Sequence, residues 1–176
     1  MNADSIARLD SYLSTAVREL FIRYDQNLSE LAFKEMEIQE PFAATIGFTA
    51  PRLRGVLVLI ADRIVIERSL PANLRASEVE DAIVADWTGE LANQVLGKLK
   101  KSLYATGIDI QLSTPAVFAG KGLRHFAQHS NLARRLLFQG DGLLIAELQA
   151  DFDQDLEIGA ESIDETSQPE GETLFF

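Results

Sequence analysis

A chain of 176 residues, 47% hydrophobic and 24% charged, has the size and composition of one globular domain rather than of a disordered or fibrous protein. It contains no cysteine, which excludes a disulfide framework, a thiolate metal site and a cysteine nucleophile. Of the formal net charge of -11, most falls after residue 150: residues 151–176 hold nine acidic side chains and no Lys or Arg, leaving 16 basic and 18 acidic side chains, or -2, on the first 150.

The start, MNADSIARLD, has neither the basic nor the apolar region of a signal peptide. Ile6, Leu9, Leu13, Val17, Leu20 and Tyr24 fall at steps of three and four, which predicts an amphipathic first helix. ELAFKEMEIQ from Glu30, then Phe42–Thr49 and Leu53–Ala61, read as three strands, with Pro51 in the turn between the last two. The run GVLVLIA at 55–61 is far short of the roughly 20 residues of a membrane span. No membrane is expected as a partner, and the expected location is the cytoplasm. DRIVIERSLPANLRA fits a strand extension or a short helix, with the helix, ending before Pro71, preferred.

Ser77 followed by Glu80 is a capping-box pattern, and Gly107 supplies a stop. One long helix from about Glu78 to Tyr104 is predicted between them. Ile108, Ile110 and Leu112 alternate with Asp109, Gln111 and Ser113, which predicts a half-buried strand running through TPAVFAG. LARRLLF and LLIAELQADF flank QGDG, a hairpin joining two final strands. With no Gly-rich phosphate loop between strand and helix, the class is α+β: a largely antiparallel sheet packed against the long helix and the N-terminal helix. The domain is expected to span residues 1–152. Residues 153–176, acidic and without apolar period, read as a disordered tail. The first 150 residues carry no basic stripe, so nucleic acid is excluded as a partner.

The long helix contains GELANQVLG, residues 89–97, with Glu90 and Asn93 three apart. At about 100° per residue from Ile83, the apolar side chains Val84, Trp87, Leu91, Ala92, Val95, Leu96, Leu99 and Leu103 spread from about 40° to about 220°. Glu90, Asn93, Gly97 and Asp86 land near 340°, about 280°, about 320° and about 300°, opposite that arc. Solubility alone accounts for exposed Glu, Asn and Asp. Gly97 is different, because an interior helical glycine is destabilising by about 1 kcal/mol relative to Ala. Placed outward, it leaves a notch through which another molecule can approach the backbone. Val79 and Ile83 are expected on the same side, as apolar parts of a partner footprint.

GELANQVLGKLKKSL followed by GIDIQLSTPAVFAGKG resembles the CheX branch of the CheC/CheX/FliY chemotaxis phosphatase family, whose long helix carries Glu-x-x-Asn and precedes a strand ending in Pro-x-Val. ATIGFTAPRLRGVLVLIA is similar to that family's glycine-containing strand pair, and DSYLSTAVRELF to its first helix. The similarity covers roughly residues 8–122, with LLIAELQ as a last strand; LRHFAQHSN reads as an insertion. The single Glu-x-x-Asn matches the single-site branch. The resemblance implies hydrolysis of the aspartyl phosphate of a CheY-like receiver. Asn93 would hold a water in line with phosphorus, and Glu90 would pair with the receiver's active-site lysine. Asp86, Gly97 and Ile83 would complete the contact. No cofactor would be bound by this chain; Mg²⁺ would belong to the receiver. A homodimer through sheet edges is also implied. The alternative is a CheX-like module that binds a receiver or a flagellar or signalling assembly without turnover.

His125 and His129 stand four apart, but no HExxH pattern surrounds them; they read as surface residues, and no metal site is expected. Gly120-Lys121-Gly122 lacks the flanking residues of a phosphate loop and reads as a turn. The final TLFF is either without role or a docking peptide that tethers a partner.

Overall fold

A computed structural model describes residues 3–24, 26–32, 38, 41–75, 78–121, 130–153 and 155–159. Helix α1, Ala3–Ile22, forms where the three-and-four spacing predicts it, with Leu9, Leu13, Val17 and Leu20 buried. Tyr24 follows in the closing turn, its amide donating to the carbonyl of Phe21 at 3.0 Å. Among the described residues seven strands follow: β1 (Ser29–Leu31), β2 (Pro41–Ala50), β3 (Leu53–Asp62), β4 (Gln111–Leu112), β5 (Ala116–Ala119), β6 (Leu132–Gln139) and β7 (Leu143–Phe152). They form one antiparallel sheet in the order β1-β6-β7-β3-β2, with β4 and β5 both along the outer side of β2. The α+β class is as expected. The predicted first strand is described only as β1, and Phe33–Glu37 of its continuation lie outside the described residues.

The segment after β3 becomes the short helix α2, Arg63–Ser69, ending before Pro71, and a 3₁₀ turn follows at Ala72–Leu74. The long helix, α3, spans Asp81–Tyr104. Its start differs from the capping-box expectation. Glu80 itself is the residue before the first turn, in extended conformation (φ -66°, ψ 145°), and its side chain caps nothing; Ser77 lies outside the described residues. Arg63 accounts for the later start, since its guanidinium donates to the carbonyl of Val79 and to the carboxylate of Asp81. Those bonds hold the segment before α3 extended. The far end behaves as predicted. Gly107 adopts φ +85°, a left-handed conformation that glycine takes without steric cost. The amides of Gly107 and Ile108 then donate to the carbonyls of Tyr104 and Leu103 at 2.9 and 3.0 Å, satisfying two helix-end acceptors in a Schellman arrangement.

The predicted single strand through TPAVFAG is split. β4 pairs with Phe48 and Thr49, β5 pairs with Phe42–Thr45, and three residues, Ser113–Pro115, face two on β2. Pro115 has no amide to offer a ladder. Ser113 compensates: its amide donates to the Gly47 carbonyl and its Oγ accepts from the Gly47 amide, both at 2.9 Å.

Both long helices contribute to one core with the sheet, α3 packing on β2, β3 and β5 and α1 packing on α3. Asp10 of α1 reaches Arg134 of β6 at 3.1 Å; burial nevertheless pushes the Asp10 carboxyl up, against the opposing pull of Arg134. Past β7, Leu156 and Ile158 are 6% and 3% exposed within the same core, and the Ile158 amide donates to Ser5 Oγ at 2.9 Å. The chain beyond residue 152 therefore first returns to the N-terminal end of α1. Residues 160–176, which include the rest of the expected acidic tail and TLFF, lie outside the described residues.

The burial of Leu156 makes this return segment part of the folded unit. Leu156→Ala should lower unfolding stability by about 2 kcal/mol, whereas Glu157→Ala, an exposed neighbour, should stay within about 0.5 kcal/mol. Urea denaturation followed by tryptophan fluorescence measures both; equal effects would show that the segment is not packed.

Candidate functional site

The rotation of α3 about its own axis is fixed from below. Val84, Leu91, Ala92, Val95, Leu96, Leu99 and Leu103 are buried, as the helical rotation predicts, and Thr88 and Gly89 join them. Gly89 sits beneath the β5 segment, where a Cβ would stand 3.1 Å from Val117 Cγ2 and 3.7 Å from Pro115 Cγ. The small residue lets β5 lie close against the helix. Thr88 is reconciled with burial by donating its hydroxyl to the Val84 carbonyl at 2.7 Å.

With that face committed, the opposite one is open. Asp86, Glu90, Asn93 and Gly97 are all exposed. Ile83 is half-buried and outside the core cluster. Val79 departs from expectation: it packs against the core, because it precedes the first turn of α3 and the helical rotation does not apply to it. A Cβ built on Gly97 would meet nothing within 4 Å, so the space above it is open and no contact among the described residues requires a glycine. Among the described residues the Asn93 carboxamide has no hydrogen-bond partner. Its amide and carbonyl are both available to an incoming molecule.

Glu90 is not free in the same way. One carboxylate oxygen, Oε1, accepts from Gln94 Nε2 at 2.7 Å, and Gln94 Oε1 in turn accepts from the Tyr24 hydroxyl at 3.1 Å. The Tyr24 ring packs edge-on against Trp87, with centroids 6.0 Å apart at 78°. Trp87 Nε1 donates to Ser69 Oγ at 2.9 Å. The sequence places Tyr24 on the apolar stripe of the first helix and gives Gln94 no role. The available signal was an amide four residues after Glu90 on the same helix face, but the contribution of Tyr24 comes from 70 residues away. Beside this group, Lys98 pairs with Glu19 of α1 at 2.7 Å.

Among the described residues no group of three or more His, Asp or Glu side chains is arranged to hold a metal ion; His125, His129 and Gly122 lie outside them. Gly120, at φ +143°, and Lys121 follow β5 as an exposed turn. A concavity lined by Gly47, Thr49, Arg54, Gln111 and Asp151 includes no residue of α3. No helix among the described residues is long and apolar enough to cross a membrane.

Comparison with curated protein sequences gives no match. Solved structures do match in fold. The chemotaxis protein CheX from Vibrio vulnificus is similar with a TM-score of 0.72 at 18% identity, over 82% of this chain and 99% of that one. A CheC-like superfamily protein from Shewanella aligns with a TM-score of 0.61 at 22% identity, over 86% and 99%. The structure of a CheX-CheY-BeF3-Mg²⁺ complex from Borrelia burgdorferi aligns with a TM-score of 0.62 at 14% identity, over 85% and 99%. At these identities the likeness is one of fold. The sequence itself matches the family model of the chemotaxis phosphatase CheX over residues 42–133, just over half of its length and including all of α3. By that match the chain belongs to the CheX family of chemotaxis phosphatases.

Proposed function

We propose that this protein hydrolyses the aspartyl phosphate of a CheY-like receiver, with Asn93 aiming the attacking water and Glu90 holding the receiver in register. The observation that carries this reading is the pairing of an unpartnered Asn93 carboxamide with Glu90 on the exposed face of a helix whose other face is locked into the core. Membership of the CheX family supports it, as does the complex that a CheX of the same fold forms with CheY, beryllium fluoride and Mg²⁺.

The chemistry asks little of the protein's own acid–base groups. Water oxygen attacks phosphorus, the bond between phosphorus and the receiver's carboxylate oxygen breaks, and aspartate and inorganic phosphate result. Asn93 gains and loses no proton; its amide orients the water by hydrogen bonding. Glu90 supplies an anion for the receiver's lysine, a charge-assisted contact. Mg²⁺ arrives with the receiver as part of the substrate. Rate enhancement then comes from positioning and electrostatics, as in phosphoryl transfer generally. The outer sides of β1 and β5 are unpaired among the described residues, and a homodimer would form along such an edge.

Phosphate release from a Mg²⁺-loaded, phosphorylated receiver tests the roles. Asn93→Ala should lower the catalysed rate about 10²-fold, the cost of a misplaced reactant, while leaving binding intact. Glu90→Ala should raise KM about tenfold, as loss of one charge-assisted contact implies. If the wild type releases phosphate no faster than the receiver alone, the enzyme reading fails and a non-catalytic receiver-binding module remains.

Gly97 gives an independent check. Gly97→Ala should stabilise the protein by about 0.5–1 kcal/mol through helix propensity and should raise KM for the phosphorylated receiver. Thermal unfolding and kinetics on the same variant measure both; added stability with unchanged KM would remove the notch from the contact surface.

A further inference from the structure

We infer that Gln94 is a positioning residue for Glu90, set by Tyr24, and that this link presents one preformed carboxylate oxygen to the receiver; the inference rests on the proposed receiver contact. Its observable basis is the pair of hydrogen bonds from Tyr24 through Gln94 to Glu90, with the Tyr24 ring packed on Trp87. A carboxylate can only accept, and a phenol hydroxyl that donates to Gln94 Oε1 leaves the NH₂ end of the amide facing Glu90. The network thus fixes which way the amide points. Gln94 Nε2 takes up Oε1 of Glu90 at 2.7 Å, and Oε2 stays available for a cation on the partner.

An isolated exposed glutamate samples several rotamers, and ordering it on binding lowers affinity. Here the ordering is done beforehand by groups that are themselves held. Tyr24 sits in the turn closing α1 and packs edge-on against Trp87, and the Trp87 indole is fastened to Ser69 of α2. Ser69 is buried and its hydroxyl donates to the Ile66 carbonyl at 2.7 Å. The turn after α1, the end of α2 and the exposed face of α3 therefore all contribute to the position of one carboxylate. Asn93, one residue before Gln94, is outside this network.

The test is a mutant cycle on full-length protein, read as KM and kcat with a phosphorylated receiver and as Kd for a receiver loaded with Mg²⁺ and beryllofluoride. Gln94→Leu should raise KM and Kd about fivefold, the effect of releasing one ordered side chain, with kcat within about twofold of wild type. Tyr24→Phe, which removes only the hydroxyl, should raise KM about twofold. On a Glu90→Ala background Gln94→Leu should have no further effect, which is the mark of a residue acting through Glu90. A structural role would instead persist without Glu90. If the wild type hydrolyses and Asn93→Ala does not, but Gln94→Leu matches wild type or its effect survives in Glu90→Ala, this inference is overturned and the phosphatase reading stands. If the wild type binds without hydrolysing, the phosphatase reading is overturned and the same cycle in Kd decides the inference. Absence of binding by the wild type overturns both.

Discussion

The burial of one face of α3 against β2, β3 and β5 sets everything that follows. A helix in a core has no freedom to turn about its axis, because a rotation of one residue, about 100°, would put Glu90, Gln94 and Lys98 where Leu91, Val95 and Leu99 now pack. An unpaired carboxylate in that position would cost several kcal/mol. Gly89 tightens the constraint, since the contact with Pro115 and Val117 is possible only at that rotation. The exposed face is therefore specified by the buried one. The rigidity of the core is what gives an exposed asparagine a defined place in space.

The site divides its labour between a held group and a free one. Glu90 is steadied by Gln94, Tyr24 and, through ring packing, Trp87, while Asn93 projects with no partner among the described residues. Such a division suits a reaction whose electrophile, metal ion and leaving group all reside in another protein: one side chain sets register and the next completes the geometry around a water. On the proposed reading, the catalytic constellation is completed only when the receiver docks.

Much of this was legible in the sequence because helix periodicity is a local property. The spacing from Val84 to Leu103 was enough to orient α3 and to set Glu90, Asn93 and Gly97 outward, and the stop at Gly107 follows from one residue's conformational freedom. The strand pair β2–β3 and the hairpin β6–β7 were readable for the same reason. What was missed depends on contacts distant in sequence. The later start of α3 follows from Arg63 bonding to Val79 and Asp81, and no local pattern contains that. The break at Ser113–Pro115 needs the register of β2, and the burial of Leu156 and Ile158 within an acidic stretch needs the N-terminal end of α1. The hold on Glu90 is not legible locally because Tyr24, in the turn after α1, and Gln94, on α3, stand 70 residues apart.

On the proposed reading, the outward face of α3 is where a phosphorylated receiver docks. Backbone amide shifts of the isotope-labelled protein, followed during titration with a receiver loaded with Mg²⁺ and beryllofluoride, test it most directly. The largest changes are expected along Ile83, Asp86, Glu90, Asn93 and Gly97, with β1 and the far end of the sheet unmoved. Changes centred on the sheet, with α3 silent, would contradict it.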